Sequence, residues 1–296
     1  MPQMSPDTAL SGLSRPAEPE HTAPEPVTPY YSRGVQLKAK HDGTKMVSGR
    51  SLETWALGLV PVKAVAKILD AGCGWGRFTW PLIETFALTS TNVTGIDTSL
   101  GMLETAAEEG QRRRRRPAFA SADIQALPFP PGYFDAAMAN HVLYHLPDIH
   151  KAVGKLARVL KEHGWLLATT NSDDVQVPVL EFHYAALDEL SIGHNSGGHS
   201  SFSMENGGEI LGAGFSNVDR HFFDDETRYT SADQFLASYK TIGRYRNLLA
   251  REDINPEKKR QLPVLVRQRA EEVISRIGEL RSPVRMGAFV CTGPRK

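Results

Sequence analysis

Two cysteines in 296 residues are too few for a disulfide framework, and no group of cysteines and histidines has the spacing of a zinc site, so no metal is expected. No run of 18 apolar residues occurs, and no amino-terminal stretch has the make-up of a signal peptide, so the expectation is a soluble, cytoplasmic protein without membrane contact. Neither sign of charge is in excess: 34 Lys and Arg balance 34 Asp and Glu, which removes the global basic field that holds a nucleic acid. Five consecutive arginines at 112–116 are the local exception. In a nucleic-acid enzyme they would grip phosphate, but a charge run in a connecting loop is ordinarily solvated. Large apolar residues are scarce over 1–29, where Pro, Ser, Thr, Ala and Glu dominate, the composition of a disordered leader. The hydrophobic fraction of 41% is ample for one large domain, or for a domain with an insertion.

What the chain does carry is concentrated at 68–78, ILDAGCGWGRF. An apolar run ending on Asp70 suits a buried parallel strand, and Gly72, Gly74 and Gly76 let the backbone turn sharply and lie against a ligand before a helix begins. Such a loop stands at the carboxyl end of the first strand of an open α/β sheet. A dinucleotide site requires Gly-x-Gly-x-x-Gly. Here the third glycine comes one residue early, and an acid precedes the first glycine by two. A carboxylate there repels a diphosphate and accepts from an ammonium, so the implied cofactor is a cationic amino-acid nucleoside, not NAD or ATP. Cys73, inside the loop, needs only to be small. Residues 92–97, NVTGID, read as a second strand closing on an acid, and Asp97 is placed to take both ribose hydroxyls. Thr98 and Ser99 leave open the alternative of a plain helix amino cap. Met102, one turn into the next helix, would cover an adenine face or pack in the core.

These segments resemble the class I methyltransferases that use S-adenosylmethionine, and among them the ubiquinone and menaquinone biosynthesis branch, closely over 66–167 and loosely to the end. The resemblance implies S-adenosylmethionine as cofactor, lined by Asp70, Gly72, Cys73, Gly74, Gly76, Asp97, Thr98 and Met102. It also implies that the Asp123 carboxylate receives the adenine amino group and that the Ile124 amide meets a ring nitrogen. Residues 127–135, LPFPPGYFD, match the family's connection into the fourth strand, and 140–148, NHVLYHLPD, match the segment that starts over the methionine part of the cofactor with Asn140 and His141. Methyl transfer is an in-line displacement from a sulfonium, so holding the nucleophile in line is the main requirement. An acceptor that arrives protonated needs a base as well. His141 and His145 are the candidates, four apart and so on one face of a helix, with Tyr144 in the wall; the alternative is that one caps or packs.

The rest of the chain reads as a helix at 149–161, a fifth strand at 165–170, a helix at 175–190, a polar loop at 193–203 carrying His194 and His199, a sixth strand at 218–223, helical stretches at 231–249 and 256–281, and a last strand at 286–292, antiparallel to its neighbours. Glu205 either faces the acceptor or caps its helix. The resemblance implies that residues 30–62, with a capped helix at 51–59, fold over the site as a lid, with Tyr31, Lys40 and His41 in its wall and Tyr31 and His199 as substrate contacts; the alternative, favoured for Lys40 and His41, is that they are ordinary solvated surface residues. The fold expected for 63–296 is a doubly wound, Rossmann-like α/β domain with a seven-stranded mixed sheet and a helical insertion at 231–281 that builds the acceptor pocket or a homodimer contact. The function expected is methylation of an N, O or C nucleophile on a small molecule, preferably a specialised metabolite. RNA methylation, and a non-methylating reaction such as cyclisation in the same pocket, remain alternatives, because fold and cofactor site do not fix chemistry.

Overall fold

Four consecutive buried residues, Ile68–Ala71, make the first strand, β1, and their unbroken apolar character is that of a strand covered on both faces. In the computed structural model, which describes residues 46–173, 178–194 and 200–296, β1 lies at the centre of a sheet of seven strands. The others are β2 (Val93–Asp97), β3 (Ala118–Ser121), β4 (Phe134–Asn140), β5 (Leu160–Asn171), β6 (Phe215–Tyr229) and β7 (Leu280–Pro294), in the order β3-β2-β1-β4-β5-β7-β6. The pairs joining β3, β2, β1, β4 and β5 are parallel, and β7 runs antiparallel to both β5 and β6. Strand order reverses direction at β1, so the crevice between the carboxyl ends of β1 and β4 is the switch point where ligands bind in such sheets.

Helices cover both faces. On one, α1 (Leu52–Leu57) and α2 (Thr79–Thr85) pack with Ile68, Met138 and Leu167; α3 (Leu100–Arg113) joins them through Met102. On the other, α4 (Ile149–Val159) buries Ala152, Val153 and Leu156 against Leu69, Ala137 and Leu166. The Arg158 guanidinium donates to the carbonyls of Phe129 and Leu127, both at 2.8 Å, and so clamps the proline-rich connection that leads into β4.

The last two strands are longer than expected. Only Trp165–Asn171 of β5 pairs with β7, whereas β6 and β7 stay paired out to Tyr229 and Leu280. A two-stranded ribbon of six more residues therefore projects about 20 Å beyond the carboxyl edge at ~3.4 Å per residue. It carries ion pairs, Arg285 with Asp224 and Arg281 with Glu226, so it has no apolar alternation to mark it in the sequence. α6 (Gly207–Gly212) lies on the sheet beside α4, with Leu211 in one core with Val153 and Leu156; the ribbon supports a helical cap of α5 (Pro178–Glu189), α7 (Ala232–Tyr239), α8 (Gly243–Ala250) and α9 (Pro256–Ile277), which share a core around Phe235, Tyr239 and Leu262.

The expected helix at 231–249 is two helices, because the chain turns extended at Ile242. The helix starting at Pro256 stops at Gly278, in the left-handed region at φ +92°, short of residue 281. The arginine run is not wholly a loop: Arg112 and Arg113 close α3 and pair with Glu109, and only from Arg114 does it lead toward the amino end of β3. The leader, Tyr31, Lys40, His41 and His199 lie outside the described residues.

Candidate functional site

The glycine loop is held to β2 before it reaches any ligand. The amides of Gly72 and Cys73 both donate to the Ile96 carbonyl, at 2.8 and 2.9 Å. Gly72, Gly74 and Gly76 have φ of +74°, +55° and +85°, a region that side chains avoid. A Cβ on Gly72 would stand 2.4 Å from the side chain of Val142, which follows β4, so the loop after β4 packs that side chain directly on the backbone of the loop after β1. A Cβ on Gly74 would meet nothing within 4 Å: the loop opens there.

Asp97 ends β2 beside that opening. One carboxylate oxygen accepts from the Gly74 amide and the other from Ser99, both at 2.9 Å. Burial raises its carboxyl above the ordinary range, while the amides of Ser99, Gly74 and Thr98 oppose this. The alternative of a plain amino cap goes instead to Ser99, whose hydroxyl accepts from Met102. Asp123 accepts from the Gln125 amide at 2.8 Å and starts a single 3-10 turn, Ile124–Ala126, in which Ile124 is buried. Asn140 ends β4 level with the loop, and neither its amide nitrogen nor its oxygen has a partner.

Several expected site residues face elsewhere. Met102 is 3% exposed and packs in the core, whereas Leu100, in the first turn of the same helix, is 65% exposed; the apolar surface at this edge comes from the residue two places earlier. Cys73 points inward, with its sulfur where a Cβ on Gly95 would be 2.9 Å away, and burial pushes its thiol up. Asp70 is 1% exposed and accepts from the Thr79 hydroxyl at 2.6 Å, so its carboxylate is engaged beneath the loop. His141 and His145 do not share a helix face: His141 has φ +52° and His145 ends a 3-10 turn, Leu143–His145. A non-glycine residue at such φ is strained, and strain of this kind gathers at functional edges. Burial lowers the His145 imidazole, which keeps it neutral near pH 7. Glu205 neither caps its helix nor stands alone: its carboxylate accepts from the Ser172 hydroxyl and the Asp173 amide, tying the segment after α5 to the end of β5.

Thr79 and the pair Glu53–Arg77 escaped the sequence reading, since no spacing marks them. The Arg77 Nε lies 2.5 Å from Glu53, joining α1 to the glycine loop; burial pushes the Glu53 carboxyl up, but the Arg77 charge and the Ser51 hydroxyl carry it down to about 2. Met46 bridges Thr227, and the Val47 amide donates to Glu226, so the chain before α1 is stitched to the β6–β7 ribbon.

Asp70 yields a pH prediction. Burial lifts its carboxyl to about 7, the Thr79 hydroxyl opposes this, and the Asp97 charge adds to it. The folded chain thus holds a proton that the unfolded chain has released between about pH 4 and 7, so stability falls as pH rises through that window and levels off above it. Asp70→Asn, which keeps an acceptor for Thr79, is expected to remove this slope and raise the melting temperature at pH 8 by several degrees, for a penalty of about 1.4 kcal/mol per unit of pKa. Thermal melts from pH 5 to 8 check it; parallel curves for the two proteins would show that Asp70 does not titrate there.

A nucleoside with an amino-acid arm fits these residues: the carboxylate of Asp97 beside an open Gly74, and the unpartnered amide of Asn140 beyond it. No group of histidine, cysteine or acidic residues among the described residues could hold a metal ion. Nor is any described helix long and apolar enough to cross a membrane.

Residues 69–168 match the sequence profile of the methyltransferase domain family. Malonyl-[acyl-carrier protein] O-methyltransferase of Legionella pneumophila is 36% identical over 111 residues, 38% of this chain and 38% of that protein. The 2-phytyl-1,4-naphtoquinone methyltransferase of Nostoc punctiforme is 39% identical over 124 residues, 41% of this chain and 49% of that protein. The match therefore spans less than half the length of either relative. Among solved structures, the [4+2]-cyclase SpnF superposes with a TM-score of 0.53 at 18% identity, covering 89% of this chain and 94% of that one, a likeness of fold alone. Loop, strand-end acid, sheet order and profile converge: the chain carries a class I S-adenosylmethionine-dependent methyltransferase domain.

Proposed function

We propose that the protein transfers a methyl group to a nitrogen, oxygen or carbon nucleophile on a small molecule in the cytoplasm, with 63–296 as the catalytic domain. The observation that carries this reading is Asp97, fixed by the amides of Gly74 and Ser99 where the glycine loop opens. When bound, S-adenosylmethionine supplies an electrophilic methyl group on a sulfonium. Asp97 receives the ribose hydroxyls, Leu100 offers apolar surface to the adenine, Asp123 and the Ile124 amide receive its polar edge, and Asn140 meets the amino-acid arm. His145 is suited to take a proton from the acceptor, since burial keeps it neutral. The helical cap stands over the same edge and supplies the acceptor side. Methyl donors on this scaffold serve relatives named for a carrier-bound malonyl group and a naphthoquinone, which supports a small acceptor. The arginines at 114–116 support it by position, since they precede β3 and so lie at the amino edge, opposite the glycine loop.

Calorimetric titration with S-adenosylmethionine, S-adenosylhomocysteine and NAD tests the cofactor. Micromolar binding of the first two and none of the third is expected; binding of NAD, or of none, refutes the reading. His141→Ala and His145→Ala are expected to leave cofactor affinity within a few fold, while one of them lowers turnover about 10²-fold and removes a limb of its pH profile. Full activity in both variants would show that no histidine serves as base.

A further inference from the structure

Three buried polar atoms at the carboxyl edge have no hydrogen-bond partner: the amide nitrogen and oxygen of Asn140 and the hydroxyl of Thr169. Asn140 is 8% exposed and Thr169 is 1% exposed. The two are Cα partners across β4 and β5, and the His141 amide donates to the Thr169 carbonyl at 2.9 Å, so their side chains leave the same face of the sheet side by side. The neighbouring Thr170, on the opposite face, shows how a buried threonine is ordinarily satisfied: its hydroxyl donates to the Phe202 carbonyl at 3.0 Å. Two adjacent, buried, unsatisfied polar side chains are uncommon in a native fold and call for an occupant.

Position across the sheet decides which ligand. Asp97 ends β2, with β1 and β4 between it and β5. At ~4.8 Å per strand, Thr169 stands about 14 Å across the edge from Asp97. A ribose at Asp97 and its short amino-acid arm span the intervening strands, and Thr169 is the next position outward, on the acceptor's side. On the same face Met138, Leu167, Ala288 and Phe223 are buried in the core with α1, and the half-buried Trp55 of α1 is tilted against Phe223 with 5.1 Å between ring centroids, so the surroundings of the two polar side chains on this face are apolar. Both polar side chains are neutral, and each offers a donor and an acceptor.

We propose that Thr169, next to the Asn140 that meets the cofactor's arm, is the polar floor of the acceptor pocket and selects an acceptor with an apolar body and an uncharged hydroxyl, carbonyl or amide head. This rests on the methyltransferase reading above and adds to it the acceptor's chemical class and the residue that recognises it.

The test uses the full chain saturated with S-adenosylhomocysteine and three probes of one shape: naphthalene, 2-naphthol and 2-naphthoate. Wild type and Thr169→Ser are expected to bind 2-naphthol about tenfold more tightly than the other two. Thr169→Val is expected to lose that preference, to keep S-adenosylhomocysteine affinity within twofold, and to melt a few degrees higher without ligand, because an isosteric methyl replaces an unsatisfied hydroxyl. No preference in wild type, a preference retained in the valine variant, or a lower melting temperature overturns the proposal. A tenfold loss of S-adenosylhomocysteine in Thr169→Val, with 5′-methylthioadenosine unaffected, also overturns it, since Thr169 would then hold the cofactor's amino-acid arm. Failure of wild type to bind S-adenosylhomocysteine defeats the methyltransferase reading itself, and the proposal with it.

Discussion

Replacing Asp97 by alanine is expected to weaken S-adenosylmethionine and S-adenosylhomocysteine binding about 100-fold, from two hydrogen bonds to a charged acceptor at ~1.5 kcal/mol each. The fold should survive, because Ile96 still receives the Gly72 and Cys73 amides and keeps the loop on β2. Asp97→Asn separates the contributions: one oxygen still accepts from a backbone amide, but the charge and the second acceptor are gone, so the loss should be about tenfold. Titration calorimetry beside a melting curve reads both quantities. An alanine variant that binds as tightly as wild type would remove the ribose assignment, and one that melts far lower would make Asp97 a brace for the loop.

Gly72→Ala is expected to be strongly destabilising. Two causes add. Alanine at φ +74° carries a left-handed penalty of ~1–2 kcal/mol. The new methyl, 2.4 Å from Val142, also forces apart the loops after β1 and β4, an overpacking cost of ~1–3 kcal/mol. A loss of about 2–5 kcal/mol lowers the melting temperature by roughly 5–15 °C in a chain of this size. Cofactor affinity should fall with it, since the displaced loop carries Gly74 away from Asp97. Adding Val142→Gly removes the Cβ at 2.8 Å as well as the Cγ atoms, makes room for the methyl and, measured against Val142→Gly alone, is expected to recover the overpacking part but not the backbone part. Full recovery in the double variant would show that contact alone requires glycine; no recovery would place the whole requirement in φ.

Much of this site lies within one continuous stretch, which explains why it could be read without coordinates. The strand ending on Asp70, the glycines, the strand ending on Asp97 and the end of the fourth strand at Asn140 each depend on local rules: apolar runs, turn glycines and an acid at a strand end. The roles that changed were those set by direction. Periodicity assigned Met102 and Asp70 to the right elements, yet which side chain reaches the edge depends on how α3 and α2 are rotated against the sheet, and packing buried both. The spacing of His141 and His145 was interpreted on a helix that the chain does not form, because the backbone turns left-handed at His141 directly after β4. The outer halves of β6 and β7 carry charge on their exposed faces and are strands only because each pairs with the other.

The sequence by itself determined the class of fold, the cofactor loop and the acid at the end of β2, since these follow from short-range chemistry along the chain. Only the tertiary structure decided what stands across from them: Thr79 on Asp70, Val142 on Gly72, Glu53 on Arg77, and Thr169 beside Asn140. Those partners are separated in sequence by 9, 70, 24 and 29 residues, and no local preference encodes a contact whose two halves meet only when the sheet has closed and its edges have come into register.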